Sequence, residues 1–509
     1  MSIIKKNIIA NFAGNAWSTC LSLIFIPVYI HFMGIEAYGL IGIFIIIQTL
    51  SSLLDVGIGT TINREMARFS VSKDRIRETQ NILRTLECVY WLIAFLVVAI
   101  VLTAAPYISH KWVHGKQIAP AAIEQAILIM GFVAALQGVS SFYSGGLLGL
   151  QRQVLLNVVN ILIVTLRGVG AVMVLWFISP TVQAFFIWQL IVSLLQTYIL
   201  AKLLWHSLPK INLRPVFELR LLKEIYHFTL GVGAVTIMGI ILTQIDKIVL
   251  SRMLSLEVFG YYVLASTVAM GLYRLIGPVS SAIYPRFTQL VALDNQKKLV
   301  LLYHQSSQLM SVLILPSAIM VAFFSREILF LWKQNPVTVG NTYLLLSILI
   351  IGTAINGLMS IPYALQLASG WIKLGFYMNL IAMLVLAPLI YCLALFYGVV
   401  GAASVWILLN SFYLLVGIHI MHNRLLKDEE RIWWLDDIIK PLFPALLIAL
   451  AGKLFINVNL SSLRLFGYLF FLFLLATFLS AISCSLLRDK VLNKLKFVYR
   501  IWSPSRALI

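Results

Sequence analysis

The sequence predicts an all-α membrane protein with about fourteen membrane-spanning helices, in two pseudo-symmetric six-helix lobes followed by a C-terminal helix pair. Of its 509 residues, 61% are hydrophobic and only 11% are charged, and the mean hydropathy is +0.95. A soluble domain carries roughly a quarter charged residues. The apolar runs are about 20 residues long, which suits helices that cross a bilayer, whereas barrel strands are about half that length.

The predicted spans follow one another with short connections. Their bounds are 9–31, 37–61, 84–107, 122–149, 154–177, 182–205, 228–251, 257–284, 300–325, 342–368, 373–395, 400–420, 440–457 and 463–487. Most of the 38 Lys and Arg residues fall in every second connection. The few in the other connections are Lys111, Lys116, Arg252, Arg326, Lys333, Lys453 and Arg464. Because positive residues stay on the cytoplasmic side, we expect both termini in the cytoplasm.

The same asymmetry explains the net charge of +19, so no nucleic-acid partner is expected. The tail RDKVLNKLKFVYRIW alternates basic and apolar residues. Such a segment is attracted to anionic lipid, and we expect the tail to lie on the inner leaflet.

A short internal repeat divides the chain. MGIEAYGLIGIF at 33–44 resembles LSLEVFGYYVLA at 254–265, and Gly39 then corresponds to Gly260. Six spans separate the copies, so the two halves run in the same orientation, and transporter sites lie between such halves. The predicted divisions are an N-terminal lobe at 1–206, a cytoplasmic linker at 207–226, a C-terminal lobe at 227–423, and a helix hairpin with the basic tail at 424–509.

Three cations lie within the apolar runs: Arg167, Lys247 and Arg274. Each costs about 3 kcal/mol at a helix centre on insertion scales, so such residues are kept mainly where they face water or a partner. Arginine binds phosphate oxygens through its planar fork, and lysine acts as a point charge. We predict that these three residues line a cationic substrate cavity.

Two acids and a further arginine are open to more than one interpretation. Asp246 precedes Lys247, and on a helix neighbours point about 100° apart, so the two are not expected to pair easily with each other. Asp55 lies near the inner end of the second span, ahead of Arg64. Asp246 and Asp55 are candidates for coupling to a proton or sodium gradient, or for ion pairing alone. For Arg64 we expect a structural or gating role at the cytoplasmic end.

Several kinds of chemistry lack their sequence signals. The sequence contains no G-x-x-x-x-G-K-[ST] loop, no H-E-x-x-H and no zinc-spaced His/Cys cluster. We therefore expect no nucleotide hydrolysis, no metal site and no cofactor. The outer connections, each under about twenty residues, are short for an extracytoplasmic catalytic site. We expect a transporter and not an enzyme.

The opening KKNIIANFAGNAWSTCLSLIFIPVYIHFMGIEAYGLIGIF, followed by LLDVGIGTTINREMAR, resembles O-antigen flippases of the Wzx type. These belong to the multidrug/oligosaccharidyl-lipid/polysaccharide (MOP) exporter superfamily. The resemblance continues more loosely through IDKIVLSRMLSLEVFGYYVLAS and IYPRFTQL. It implies a V-shaped, MATE-like pair of six-helix bundles plus a terminal hairpin, in the bacterial inner membrane.

The resemblance also implies a function. An undecaprenyl-diphosphate-linked oligosaccharide would move from the inner to the outer leaflet by alternating access, with membrane lipid and other polysaccharide-assembly proteins as partners. Peptidoglycan-precursor flippases of the superfamily carry arginines in the first span, and this chain has none there after Lys6.

Three other functions stay open at this point. A cation-coupled multidrug exporter would depend on Asp246, and the three cations would be dispensable. A membrane glycan polymerase or ligase would depend on one catalytic acid or arginine. A scaffold for a glycan-assembly complex would tolerate single charge changes in the spans.

Overall fold

A computed structural model describes residues 3–52, 61–63, 65–66, 76–209, 215–220, 238, 241–333, 335–371, 373–456 and 461–488. Nearly all of them are helical, and the β pairing among them is one isolated bridge between His114 and Ser255. This confirms the predicted all-α class.

The helices follow the order of the predicted spans. They are α1 (Ile3–Ser51), α2 (Ile76–Tyr107), α3 (Pro120–Gly149), α4 (Gln153–Phe177), α5 (Val182–His206), α6 (241–253), α7 (Leu256–Met270), α8 (Tyr273–Ala292), α9 (Gln296–Phe323), α10 (Ser325–Lys333), α11 (Pro336–Leu358), α12 (Ser360–Ala368), α13 (Lys373–Phe412), α14 (Ile418–Leu425), α15 (Lys440–Phe455) and α16 (Ser462–Ser483). Within the described ranges, eleven helical segments are long and apolar enough to cross a membrane.

Two of the helices each cover two predicted spans. In α1 the break falls at Gly34, which has φ 84°, between the predicted spans 9–31 and 37–61. In α13 it falls at Gly398, which has φ 61°, between 373–395 and 400–420. Both backbones are left-handed, a conformation that glycine adopts without the steric cost of a Cβ atom. Each break therefore falls between two predicted spans, as the sequence predicts.

The chain divides into two compact units, residues 1–263 and 264–509. In the first unit α3 packs against α2 and α5, and α1 packs against α4. In the second unit α11 packs against α9 and α13, and α9 also packs against α15 and α16. The predicted lobe boundaries at 206 and 423 stay predictions.

Small residues permit the closest of these helix contacts. A Cβ atom on Gly146 of α3 would lie 2.6 Å from the Leu204 side chain of α5, and one on Gly352 of α11 would lie 2.5 Å from the Trp406 ring of α13. Helices in a membrane associate through such close packing, because lipid leaves little hydrophobic gain to drive association. The fourth and sixth predicted spans of one half thus meet in the same way as the tenth and twelfth of the other.

The two copies of the repeat pack against each other within the first unit. A Cβ atom on Gly39 would lie 2.5 Å from the carbonyl oxygen of Leu256, and one on Gly260 would lie 2.4 Å from the carbonyl oxygen of Ile35. Gly39 corresponds to Gly260 in the repeat, and Ile35 to Leu256, so the contact is reciprocal, as in an isologous interface. Backbone-to-backbone contact at this distance explains why both positions are glycine.

The buried Glu36 attaches the connection after α2 to the bend in α1. Its carboxylate accepts hydrogen bonds from the backbone N–H groups of residues 116–118 at 2.8 to 3.2 Å. Two residues earlier in that connection, the His114 carbonyl accepts the N–H of Leu256 at 2.9 Å. One connection therefore contacts both copies of the repeat.

Candidate functional site: charged residues within the spans

Arg167 lies near the middle of α4 and is directed to α5. Its Nη2 donates to Oε1 of Gln196 at 2.8 Å and to Oγ of Ser193 at 3.3 Å. Tyr29 of α1 is near enough to interact with it electrostatically. Among the residues that the structure describes, no carboxylate pairs with Arg167, so its hydrogen-bond partners are neutral. A guanidinium without a counter-ion in a membrane helix favours the predicted role in binding, because such a charge is costly unless it faces water or an anion.

Lys247 and Asp246 lie side by side on α6. Lys247 is 6% exposed, and its Nζ donates to the carbonyl oxygen of Thr243 at 3.4 Å. The same Nζ lies 3.9 Å from Oδ1 of Asp246, whose Oδ2 accepts the hydroxyl hydrogen of Tyr262 at 2.6 Å. The expectation that the two charges would not pair easily needs a correction. The flexible lysine side chain brings them to the limit of ion-pair distance, although no hydrogen bond joins them.

Arg274 lies in the second unit, at the start of α8. It is exposed, and no ion pair or hydrogen bond engages its side chain within the described part of the chain. The adjacent Tyr273 is held, because its hydroxyl donates to Oδ1 of Asn356 at 2.7 Å. The Asn356 amide in turn donates to Oδ1 of Asn410 at 2.7 Å. This network fixes the start of α8 and leaves the Arg274 guanidinium without a partner there.

The structure leaves part of the predicted site as a prediction. Asp55 and Arg64 lie outside the described residues. Arg167 and Lys247 belong to the first unit, where no hydrogen bond or ion pair among the described residues joins them, and Arg274 belongs to the second. That the three cations line one cavity therefore stays a prediction.

Sequence reasoning missed a charged cluster in the second unit, the His304 cluster of His304, Gln308, Glu429 and Asp437. His304 of α9 contacts Oδ2 of Asp437 through Nδ1 at 2.6 Å and Oε2 of Glu429 through Nε2 at 3.1 Å. The Gln308 amide donates to Oδ1 of Asp437 at 3.0 Å. Asp437 is fully buried and His304 is 5% exposed. The available signals were a histidine within the apolar run LLYHQSSQLM and paired acids in WWLDDIIK, but these segments lie 133 positions apart.

A second buried cluster lies in the first unit, the Glu87 cluster of Arg84, Glu87, Tyr143 and Trp205. Glu87 of α2 accepts the Tyr143 hydroxyl at 2.6 Å and the Trp205 indole N–H at 3.2 Å, both at Oε1. Its Oε2 accepts from Nη1 of Arg84 at 2.7 Å. Glu87 is buried, whereas the Arg84 side chain is 50% exposed. This cluster connects α2 to α3 and α5.

The family of the chain follows from comparison with known sequences. A family model described as "Polysaccharide biosynthesis protein" matches residues 4–291. A protein of Shigella flexneri named "Putative O-antigen transporter" is 22% identical over 416 residues, which cover 80% of this chain and 94% of that protein.

Solved structures give the same fold. The lipid II flippase MurJ in an inward closed conformation matches with a TM-score of 0.69 at 16% identity, covering 94% of this chain and 98% of the other. An inward-facing MATE-family multidrug resistance transporter of the MOP superfamily matches with a TM-score of 0.61 at 13% identity, covering 80% and 95%. The comparisons confirm the predicted resemblance to MOP exporters, and the assignment to transporters rather than enzymes. The chain is a multi-pass membrane protein, and it belongs to the polysaccharide biosynthesis protein family.

Proposed function

We propose that this protein is a flippase for an undecaprenyl-diphosphate-linked oligosaccharide, such as an O-antigen repeat unit. It would move this substrate from the inner to the outer leaflet of the bacterial inner membrane, with both of its own termini in the cytoplasm. The name of the Shigella flexneri relative and the fold shared with a lipid II flippase support the substrate class. The observation that carries the proposal is the Arg167 guanidinium, which lies in a membrane helix with neutral partners.

The chemistry of Arg167 suits a diphosphate. A guanidinium has five N–H donors in a planar fork, and among the described residues Arg167 donates from Nη2, to Ser193 and Gln196. A phosphate oxygen is a stronger acceptor than an amide or a hydroxyl, because charge-assisted hydrogen bonds are roughly twice as strong as neutral ones. In this proposal Lys247 and Arg274 add positive charge for the second phosphate or for acidic sugars, while the lipid chain stays in the bilayer.

Alternating access would be driven by an ion gradient, with a proton or sodium ion bound at Asp246 or Asp55. Support comes from Asp246, whose buried Oδ1 has no hydrogen bond among the described residues and lies at the limit of ion-pair distance from Nζ of Lys247. Buried acceptors without donors are costly, and a bound proton or cation would satisfy them. Other polysaccharide-assembly proteins are proposed as partners.

The experiment that tests the substrate site is an export assay on Arg167→Ala, with membrane insertion checked by blotting of the membrane fraction. We expect export to fall at least about tenfold, because charge-assisted hydrogen bonds contribute roughly 1.5–3 kcal/mol each. Arg167→Lys should retain more activity than Ala but less than the native protein, since it keeps the charge and loses the fork.

Arg152→Ala is the matched control, because Arg152 is an exposed arginine at the first end of the same helix. Native export by Arg167→Ala would overturn the cationic site. If Asp246→Asn abolished transport while Arg167→Ala did not, a cation-coupled drug exporter would replace this proposal. Chemical alteration of a lipid-linked glycan by the purified protein alone would favour a polymerase or ligase.

A second experiment tests alternating access at the reciprocal contact of the repeat. A Cβ atom on Gly42 would lie 2.4 Å from Cγ2 of Val263, so the two positions are in contact, and we choose them for a cysteine pair. In a background without the four native cysteines, Gly42→Cys with Val263→Cys should lose export on oxidation and regain it with a reductant. Each single cysteine variant is the control, and full export by the oxidised pair would argue against opening at this contact.

A further inference from the structure

The hydrogen bonds of the His304 cluster require one proton more than a neutral imidazole and two ionised carboxylates carry together. Nδ1 of His304 faces a carboxylate oxygen of Asp437 at 2.6 Å, and Nε2 faces one of Glu429 at 3.1 Å. An ionised carboxylate only accepts, and a neutral imidazole has one N–H. Both contacts are hydrogen bonds only if the imidazole carries two N–H groups, or if one carboxylate carries a hydrogen.

Imidazole is more basic than a carboxylate, so we assign the extra proton to His304 and treat Asp437 as ionised. Its second oxygen accepts the Gln308 amide at 3.0 Å, and an ionised carboxylate can accept at both oxygens. The orientation of that amide is fixed from the other end, because Gln308 Oε1 accepts the backbone N–H of Leu486 at 3.2 Å. The arrangement therefore fits an imidazolium at His304 between two carboxylates.

A neighbouring histidine shows the opposite pattern. His422 of α14 contacts the Ile418 carbonyl through Nδ1 at 3.0 Å and the Tyr303 hydroxyl through Nε2 at 3.1 Å. A backbone carbonyl needs a donor and a hydroxyl can donate, so the neutral imidazole satisfies both contacts. The same end of the unit thus contains one histidine arranged for the charged form and one arranged for the neutral form.

Because the cluster is buried, the stability of its packing depends on the proton at His304. Asp437 is fully buried, and a buried carboxylate is stable only when it is paired and hydrogen-bonded. If His304 loses its proton, Asp437 loses its cation and Glu429 loses a donor.

The other titratable or charged groups that interact electrostatically with this cluster and its neighbours are Tyr303, His422, Glu430, Asp436, Lys440 and Cys484. Lys440 pairs with Asp436 at 2.6 Å, so its charge is directed to another carboxylate.

The backbone that carries Asp437 is irregular. Asp437 lies within the π-helical segment Trp433–Ile439, and a second π-helical segment, Tyr413–Gly417, precedes α14. Such segments are rare and are frequent at functional sites. In addition, Nε1 of Trp433 is buried without a hydrogen-bond partner among the described residues. A buried donor without a partner is costly, so this group calls for an explanation, and a change of packing at this site would supply one.

We propose that the His304 cluster is a proton-binding site of this transporter. The proton on His304 holds α9 to the segment that carries Glu429 and Asp437, and loss of the proton releases this contact during the transport cycle. The link to the cycle rests on the proposed function as a transporter, whereas proton binding itself does not. The site is separate from Asp246, and it lies within the second unit.

The experiment uses the full-length protein in detergent and in nanodiscs, with the midpoint of thermal unfolding measured from about pH 5.5 to 8.5. Imidazole titrates in this range. If the folded protein holds the extra proton, it binds more protons than the unfolded chain, so stability falls as the pH rises. The native protein should show this fall, and His304→Gln should have a flatter profile.

Two further variants separate a proton site from a fixed contact. Glu87→Gln is the matched control, because it replaces a buried acid whose partners keep their protons, and it should lower the midpoint without changing the slope. His304→Lys keeps a positive charge that does not titrate in this range, so it should insert and lack the pH-dependent fall. It also keeps the test decisive if His304→Gln fails to insert.

Transport provides the second readout. We expect export by the native protein in proteoliposomes to vary with internal pH. We expect His304→Lys to lose the part of this variation that comes from protonation of this site. Equal unfolding slopes in the native protein and in both His304 variants would overturn the proton site, even if Arg167→Ala abolished export. A flattened slope in those variants would support the proton site even if the glycan substrate proved wrong, so the two proposals fail separately.

Discussion

The Glu87 and His304 clusters lie at corresponding places in the two halves and differ in one chemical respect. Glu87 is on the helix of the third predicted span and His304 on that of the ninth, each toward its predicted cytoplasmic end. Each connects its helix to another that lies far along the sequence. Glu87 accepts from a phenol, an indole and a guanidinium, which keep their protons at physiological pH. His304 instead depends on a proton that the imidazole exchanges near neutrality.

This difference suggests that the two halves have different roles. A cluster built on permanent donors fixes α2, α3 and α5 in one arrangement. A cluster built on an imidazole has two states whose relative stability follows the proton concentration. We expect the first unit to move as a more rigid body at this end, and we expect the corresponding end of the second unit to respond to pH.

The largest expected effect comes from Asp437→Ala. Removing one member of a buried ion pair typically costs 3–5 kcal/mol, because the other charge is left unpaired. At about pH 6 we expect the free energy of unfolding to fall by about 3 kcal/mol, measured by chemical denaturation in detergent. At about pH 8 the loss should be smaller, since the imidazole can then be neutral. A loss that is the same at both pH values would show that the two clusters do not differ in their dependence on pH.

Glu87→Ala should have the next largest effect. It removes the acceptor of the buried Tyr143 hydroxyl and of the Trp205 indole, and an unsatisfied buried donor costs roughly 1–3 kcal/mol. We expect a loss of about 2 kcal/mol that does not change between about pH 6 and pH 8. Glu87→Gln, which retains one acceptor, should lose about half as much. A loss that changes with pH would place a titrating group in this cluster as well.

Gln308→Ala tests whether the second oxygen of Asp437 needs its donor. The change removes one hydrogen bond to a carboxylate and leaves the Leu486 N–H without its acceptor. We expect a loss of about 1.5 kcal/mol, because hydrogen bonds to charged groups contribute roughly 1.5–3 kcal/mol. Ser306→Ala is the control, since the hydroxyl of Ser306 donates to the Leu302 carbonyl of its own helix. Equal losses in the two variants would mean that Gln308 does not stabilise the charge on Asp437.

The part of this molecule that sequence predicts is the part that local patterns determine. Span length and hydropathy are local, so the helix order and the breaks near Gly34 and Gly398 followed from the sequence. The position of Arg167 in a span was equally visible. Its partners Ser193 and Gln196 were not, because they lie 26 and 29 positions away on the next helix.

The His304 cluster was missed for a related reason. A single histidine in an apolar run most often forms an ordinary packing contact, and no spacing rule links it to acids 125 and 133 positions later. The irregular π-helical backbone at Asp437 also depends on tertiary packing, which a helical pattern does not encode. The repeat that contains Gly39 and Leu256 was recognised in the sequence, but the contact between its two copies was not predicted.

The smallest expected effect, from Arg84→Ala, defines what holds the Glu87 cluster. Arg84 pairs with Oε2 of Glu87 at 2.7 Å, but its side chain is half exposed. Exposed pairs contribute little, because water and salt screen them, and we expect a loss of about 0.5 kcal/mol that shrinks as salt is added. The buried bonds of Glu87 to Tyr143 and Trp205 remain in this variant. A loss as large as that of Glu87→Ala, measured by the same denaturation experiment, would mean that the guanidinium holds the cluster together. The Glu87 and His304 clusters would then differ in which cation each contains, a guanidinium or an imidazolium, and no longer in whether a cation that titrates is needed.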